Sequence, residues 1–180
     1  MVWTPQLKGE AFELLLESKI ASIKNVRCVT NIKIYSPHLG KLTEIDLLVV
    51  TPWRVYCLEA KSYTTSLSGN IEEDRWTGYT RDRSTALFNP IIQNFEHIRS
   101  LKYNLLKVGL YLNDIPSAVV VPDTCDISRA AMRFTIVKDI SGFIGDLITD
   151  SLTLPSNLDT ELILDRVYKV KAMYEGVRHG

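Results

Sequence analysis

The sequence predicts an α/β fold, a mixed β-sheet flanked by helices, and three observations predict it. Two apolar strands, Ile45-Asp46-Leu47-Leu48-Val49-Val50 and Val55-Tyr56-Cys57-Leu58, flank a short turn at Thr51-Pro52-Trp53-Arg54. Apolar residues recur at helical spacing before them and after them. An unbroken apolar run, Ile115 to Val121, has the length and composition of a strand covered on both faces. Helices at both ends of a strand-rich middle call for one mixed sheet between helical layers.

The elements follow in order. Residues 6–23 read as a helix whose inward stripe is Phe12, Leu15, Leu16, Ile20 and Ile23. Glu13 falls at the margin of that stripe, where it either reaches a cleft or pairs as an ordinary boundary acid. Residues 26–35 read as a strand and Ser36-Pro37-His38-Leu39-Gly40 as a turn. The two apolar strands come next. Residues 62–82 are polar, with strand-like pieces at Ser66-Leu67-Ser68 and Arg75-Trp76-Thr77 and turns allowed by Gly69 and Gly78. Asn89-Pro90 opens a second helix, since Asn caps well and Pro suits the first helical position. That helix runs to about Leu110 with Ile91, Ile92, Phe95, Ile98, Leu105 and Leu106 inward. Ile115 to Val121 then suggests a central strand, Arg133 to Val137 a short one, and Ile140 to Ile148 a short helix begun at Asp139. Ser151 to Asn157 reads as a loop. Leu158 to Gly176 is a terminal helix with Leu162, Ile163, Val167, Val170 and Met173 inward. No repeat or long linker interrupts the chain, so residues 1–180 are expected to form a single domain.

The bulk properties bound the function. The chain has 180 residues, 46% of them hydrophobic and 23% charged, as in ordinary globular proteins. Its 21 basic and 21 acidic residues cancel, so any contact with nucleic acid must come from a local patch. The three cysteines, Cys28, Cys57 and Cys125, are widely spaced and odd in number, which points to free thiols in a reducing compartment. His38, His97 and His179 are scattered and read as surface or core residues. Met1 to Leu7 lacks the apolar core of a signal peptide, and no apolar run reaches the ~20 residues of a membrane span. The expected location is cytoplasmic.

Chemistry concentrates at the end of the hairpin. With the turn centred between Pro52 and Trp53, Asp46 lies opposite Glu59 and Glu44 opposite Lys61, and opposed side chains share a face with Cβ atoms about 4.5–5.5 Å apart. Residues two apart also share a face. Glu44, Asp46, Glu59 and Lys61 therefore converge, while Ile45, Leu47, Val49, Tyr56, Leu58 and Ala60 occupy the other face. Two carboxylates this close repel, and burying them unpaired is costly. A divalent cation with a taste for hard oxygen ligands, Mg²⁺ or Mn²⁺, removes the repulsion. The competing reading is a plain ion-pair cluster of these acids with Lys61.

These pieces resemble the nuclease-related domain family, NERD, of the restriction-endonuclease-like PD-(D/E)xK group, a likeness that implies a restriction-endonuclease-like mixed β-sheet flanked by helices. The matching segments are Gly9-Glu10-Ala11-Phe12-Glu13, Thr43-Glu44-Ile45-Asp46, Glu59-Ala60-Lys61, Trp76 and Asn89-Pro90-Ile91-Ile92-Gln93-Asn94, in the family order. The family core corresponds to about residues 7–122, followed by a helical C-terminal extension. Phe12 stands where a second glycine is usual, and Ala60 where valine is usual. The resemblance implies a Mg²⁺- or Mn²⁺-dependent nuclease acting on DNA. It implies Asp46, Glu59 and the Ala60 carbonyl as metal ligands, Glu13 as a further ligand or a holder of bound water, Lys61 as the residue that positions water, and Gln93 beside the same cleft. Helical periodicity places Gln93 opposite the apolar stripe, facing either solvent or a polar cleft. Arg75, Arg81 and Arg83, around Trp76 and Tyr79, are candidates for nucleic-acid binding, with Trp76 itself more simply read as packing on the sheet. The alternative function is a catalytically inactive nucleic-acid-binding or targeting module. The oligomeric state is left open, a homodimer included.

Overall fold

The computed structural model describes residues 5–130 and 136–176. It builds two sheets and four helices from those residues. Helix α1 (Pro5–Ala21) leads into three antiparallel strands, β1 (Arg27–Ser36), β2 (Lys41–Val50) and β3 (Val55–Ala60). A three-stranded antiparallel sheet follows, β4 (Ser66–Ser68), β5 (Arg75–Tyr79) and β6 (Ser84–Phe88). Helix α2 (Pro90–Lys107) returns the chain to the main sheet, where β7 (Ser117–Val121) and β8 (Val137–Asp139) add in parallel. Helices α3 (Ile140–Thr153) and α4 (Thr160–Tyr174) complete the order. The main sheet runs β1-β2-β3-β7-β8, so β3 holds the middle and β7 lies one strand out from it. This mixed sheet between helices is the arrangement expected of the restriction-endonuclease-like group.

Three apolar clusters fill the layers. On one face of the main sheet Ile98, Leu101 and Leu105 of α2 and Ile163, Val167 and Val170 of α4 cover Val29, Ile32, Ile45, Leu48 and Cys57. On the other, Phe12, Leu16 and Ile20 of α1 and Phe143 and Leu147 of α3 cover Leu47, Val49, Tyr56 and Leu58. The small sheet packs Leu67 and Trp76 against Ile91, Val119 and Val121. Burial of this kind stabilises by about 25 cal/mol per Å² of apolar surface, which is why the stripes rather than local propensity decide the packing.

Several expected details change. β6 has no counterpart in the sequence reading, because Ser84-Thr85-Ala86 is exposed and carries no apolar alternation. Gly78 lies inside β5 instead of in a turn; it pairs with Leu67, and a Cβ there would come within 2.4 Å of the Tyr63 ring. Helix α3 runs through the segment expected to be a loop, as far as Thr153. Leu15, Phe95, Leu106, Leu162 and Met173 are exposed, so the inward stripes of α1, α2 and α4 are narrower than apolar spacing implies. Residues 133–135 of the expected strand, and His179, lie outside the described residues; β8 begins at Val137.

The largest correction concerns β1 and β2. Their ladder pairs Thr30 with Leu47 and Ile32 with Ile45, which leaves Asn31 facing Asp46 without a ladder pair. Asn31 has φ 52, a left-handed conformation that Asn tolerates better than most residues. Strand faces alternate strictly, yet Val29 shares a core with Ile32, and Ile45 with Leu48 and Val50. Both strands therefore change face at this point. Ile45 packs beneath α2, away from Leu47 and Val49, and the assumption that residues 44 and 46 share a face fails.

Candidate functional site

The site forms where β2 and β3 part. Their ladder is regular from Val50↔Val55 to Leu47↔Leu58, the register expected from a turn centred at residues 52 and 53. The turn itself is closed by Thr51, whose N–H donates to the Arg54 carbonyl at 3.0 Å. Beyond Leu47 the ladder stops, and Asp46 uses a side-chain oxygen in place of backbone: Oδ2 accepts the Ala60 N–H at 2.8 Å. A strand residue sends its N–H and C=O to the same side. The Ala60 carbonyl therefore faces the same gap as the Asp46 carboxylate.

Glu59 is buried, with 1% of its surface exposed. One carboxylate oxygen accepts from Lys61 Nζ at 2.5 Å. The other lies 3.3 Å from His97 Nδ1, but the two atoms are misaligned for a hydrogen bond and neither has another partner among the described residues. Lys61 Nζ also donates to Gln93 Oε1 at 3.4 Å. Asn94, one residue on, ties α2 to the sheet by donating to the Cys57 carbonyl and Ser117 Oγ, each at 2.8 Å.

The charges act on one another. Burial first, and Glu59 second, push the Asp46 carboxyl up to about 8, against the Ala60 N–H and Lys61. Burial works against the Lys61 ammonium, but Glu59, with Asp46 behind it, holds it above the usual lysine range. Burial, then Glu44, Glu59 and Glu10, raise the Glu13 carboxyl, opposed by Lys61. After burial, Glu59 and Asp46 both push up the thiol of Cys57, whose side chain lies on the α2 side of the sheet.

Of the expected residues, Asp46, Glu59, Lys61 and Gln93 are thus brought together, and Glu13 acts on them from α1. Glu44 is not part of this group. Past the face change it lines, with Glu10, Glu13 and Glu17, a groove of about 670 Å³ between α1 and β1. This groove is acidic and includes none of Asp46, Glu59 and Lys61 in its lining, so a polyanion finds a better approach elsewhere. The arginines separate. Arg81 and Arg83 sit at the β5–β6 turn, and Arg83 shares a cleft of about 380 Å³ with Lys8, Ser62 and Tyr63, directly after Lys61. Arg75 lies at the other end of β5, opposite Phe88 and about 20 Å away along an extended strand. Trp76 is buried and donates from Nε1 to the Asn70 carbonyl at 2.8 Å, so it packs and does not stack on a ligand.

His97 and Asn94 are the residues that sequence reasoning missed. A signal existed: His97 lies four residues after Gln93, on the same side of a helix. Asn94, His97, Ser100 and Asn104 are all buried. They form a polar stripe that an apolar-only reading assigns to solvent.

Asp46, Glu59 and the Ala60 carbonyl offer hard oxygen donors suited to Mg²⁺ or Mn²⁺. Asp46, held as an acid to about 8, and the unpartnered Glu59 oxygen are what a cation would relieve. Among the described residues no three His, Cys, Asp or Glu side chains close around a metal. The donor set fits a cation that keeps much of its shell for water and phosphate.

Residues 8–122 match the family model described as nuclease-related domain. An uncharacterized protein of Bacillus anthracis is 28% identical over 101 residues, covering 55% of this chain and 47% of that protein. The chain thus spans about half the length of that curated relative. No solved structure matches the chain. No described helix is long and apolar enough to cross a membrane.

Proposed function

The chain belongs to the nuclease-related domain family, and from that premise we propose that it is a Mg²⁺- or Mn²⁺-dependent nuclease hydrolysing phosphodiester bonds, with DNA as its substrate. The observation that carries the reading is the corner where Asp46 reaches across to β3, Glu59 is buried beside it, and Lys61 bridges Glu59 and Gln93. Asp46, Glu59 and the Ala60 carbonyl would hold the metal. When bound, it would supply Lewis-acid polarisation of the phosphate and a more acidic water.

The chain's own groups do the rest. Lys61 offers N–H donors and a fixed positive charge where negative charge develops on the phosphate. Gln93 and Glu59 fix the direction of that ammonium. Glu13, its carboxyl raised, orients a water from the α1 side. Arg83, with Lys8, contacts the phosphate backbone next to the corner, and Arg75 and Arg81 contact it further out. The work takes place in the cytoplasm.

The test is cleavage of circular and linear DNA and of RNA, single- and double-stranded, with and without Mn²⁺. Asp46→Ala and Lys61→Ala are each expected to lower the rate at least ~100-fold while the melting transition is retained. Folded Asp46→Ala cutting at the wild-type rate overturns the assignment. A binding module that does not cut is the second reading, favoured by the Lys61–Glu59 ion pair, which already neutralises one acid. It predicts nucleic-acid binding with no cleavage under any metal.

A further inference from the structure

A second concavity, of about 450 Å³, adjoins the corner on the α2 side. Its volume is within the ~300–1,000 Å³ of small-ligand sites. Part of the lining is apolar and open: Leu39, at the β1–β2 turn, is 46% exposed, and Phe88, at the end of β6, is 50% exposed. Thr43, Gln93 and His97 add polar groups to the same lining. Gln93 is the residue that accepts from Lys61 Nζ, so the inner end of the groove opens onto the candidate catalytic corner.

Positive charge lies at the rim. Lys41 lines the groove, and Arg75 is the cross-strand partner of Phe88, both exposed. The one acid in the wall, Glu96, is engaged by Ser36, Arg99 and Ser100 and is held below the usual glutamate range despite partial burial. It stays ionised, and the paired Arg99 guanidinium offsets its charge towards an anion.

We propose that this groove seats an unpaired nucleobase of the substrate, stacked on Phe88 with its edge towards Gln93 and Thr43, and that the protein acts on single-stranded or locally unpaired nucleic acid. The inference rests on the nuclease reading and names its substrate class. A base has apolar faces and hydrogen-bonding edges, which matches a lining that offers exposed Phe88 beside the polar groups of Gln93 and Thr43. Lys41 and Arg75 suit the phosphates on either side. An apolar surface seated there would cover the Gln93 amide N–H groups and the Thr43 hydroxyl without offering them partners, at a cost. A base inside a duplex has both faces covered and cannot enter without leaving the stack.

The experiment is equilibrium binding without divalent metal, so that nothing is cut. The probes are a short DNA single strand carrying 2-aminopurine and the same sequence as a blunt duplex. Wild type is expected to bind the single strand about tenfold more tightly than the duplex and to quench the 2-aminopurine. Phe88→Ala and Phe88→Leu should each weaken single-strand binding about tenfold, Phe88→Tyr should restore it, and duplex binding should not move. Equal affinity for the two probes overturns the proposal, as does unchanged single-strand binding by folded Phe88→Ala. So does a wild-type dimer that Phe88→Ala converts to a monomer with unaltered binding, which would show a second copy on the groove. Single-strand binding through Phe88 in a chain that never cuts supports this proposal and removes only the nuclease reading. Wild-type cleavage of single strands by Phe88→Ala removes only this one.

Discussion

Asp46 sits at the one place where the β1–β2 ladder changes face, and that position explains its chemistry. Because the ladder fails there, its carboxylate is free to turn to β3 and take the Ala60 N–H. Its register opposite Glu59 follows from counting residues around the turn. The left-handed Asn31 opposite it does not, since nothing in the local pattern requires φ 52 there. The raised Asp46 carboxyl has a measurable consequence. An unfolded Asp ionises near 3.9, whereas the folded one holds its proton to about 8. The contribution of this group to stability is therefore full in acid and falls as pH rises from about 4 to about 8. Asp46→Asn cannot ionise, so the metal-free variant is expected to be more stable than wild type at pH 8, by about 1–3 kcal/mol, and the gap should close at pH 4. Urea unfolding at the two pH values, in the presence of a chelator, checks this. A gap that is the same at both would show that Asp46 does not titrate as described.

At the scale of elements, α2 organises both the fold and the site. Asn89 caps it, accepting the Ile91 N–H at 2.9 Å, and its amide donates to the Glu73 carbonyl at 2.7 Å and to those of Asn70 and Ile71. One buried side chain thus starts the helix and anchors the loop before β5. Asn89→Ala removes the cap and takes a donor from the Ile71 and Glu73 carbonyls, while that of Asn70 keeps Trp76 Nε1, with an expected loss of about 2–4 kcal/mol by chemical denaturation. Asn89→Asp keeps the cap but loses the amide donors, so it should fall between the two. The capping pair Asn89-Pro90 is readable in one glance at the sequence. The orientation of the helix is not, because its inward face carries Asn94, His97, Ser100 and Asn104. Asn94 and Asn104 are there for specific partners: Asn104, for example, donates to the Tyr35 carbonyl and accepts from the Tyr174 hydroxyl. Partners distant in the chain leave no mark on hydropathy, and so Gln93 appears turned away from the cleft that it lines. β6 escapes for the opposite reason, since its side chains face solvent and the strand is specified by pairing with β5 alone.

For the molecule as a whole, the two layers of helices clamp a sheet whose adjacent strands β2 and β3 carry the candidate ligands, so metal binding should be felt globally. Mn²⁺ at about a hundred times its dissociation constant would add about 2.7 kcal/mol, raising the melting temperature of a chain this size by roughly 5–10 °C. Asp46→Ala should show no such rise; an equal rise in wild type and variant would place the ion elsewhere. The sequence by itself determined the order of most of the elements, the register of the β2–β3 hairpin, the cap of α2, and the candidacy of Asp46, Glu59 and Lys61. These depend on turn chemistry, periodicity and spacing, which act between near neighbours in the chain. Only the tertiary structure decided that Glu44 leaves the group, that Gln93 and His97 enter it, and that the arginines split between two ends of one strand. Those outcomes depend on a face change shared by two strands and on buried polar side chains meeting partners dozens of residues away, where the energy lies in contacts that no local pattern records.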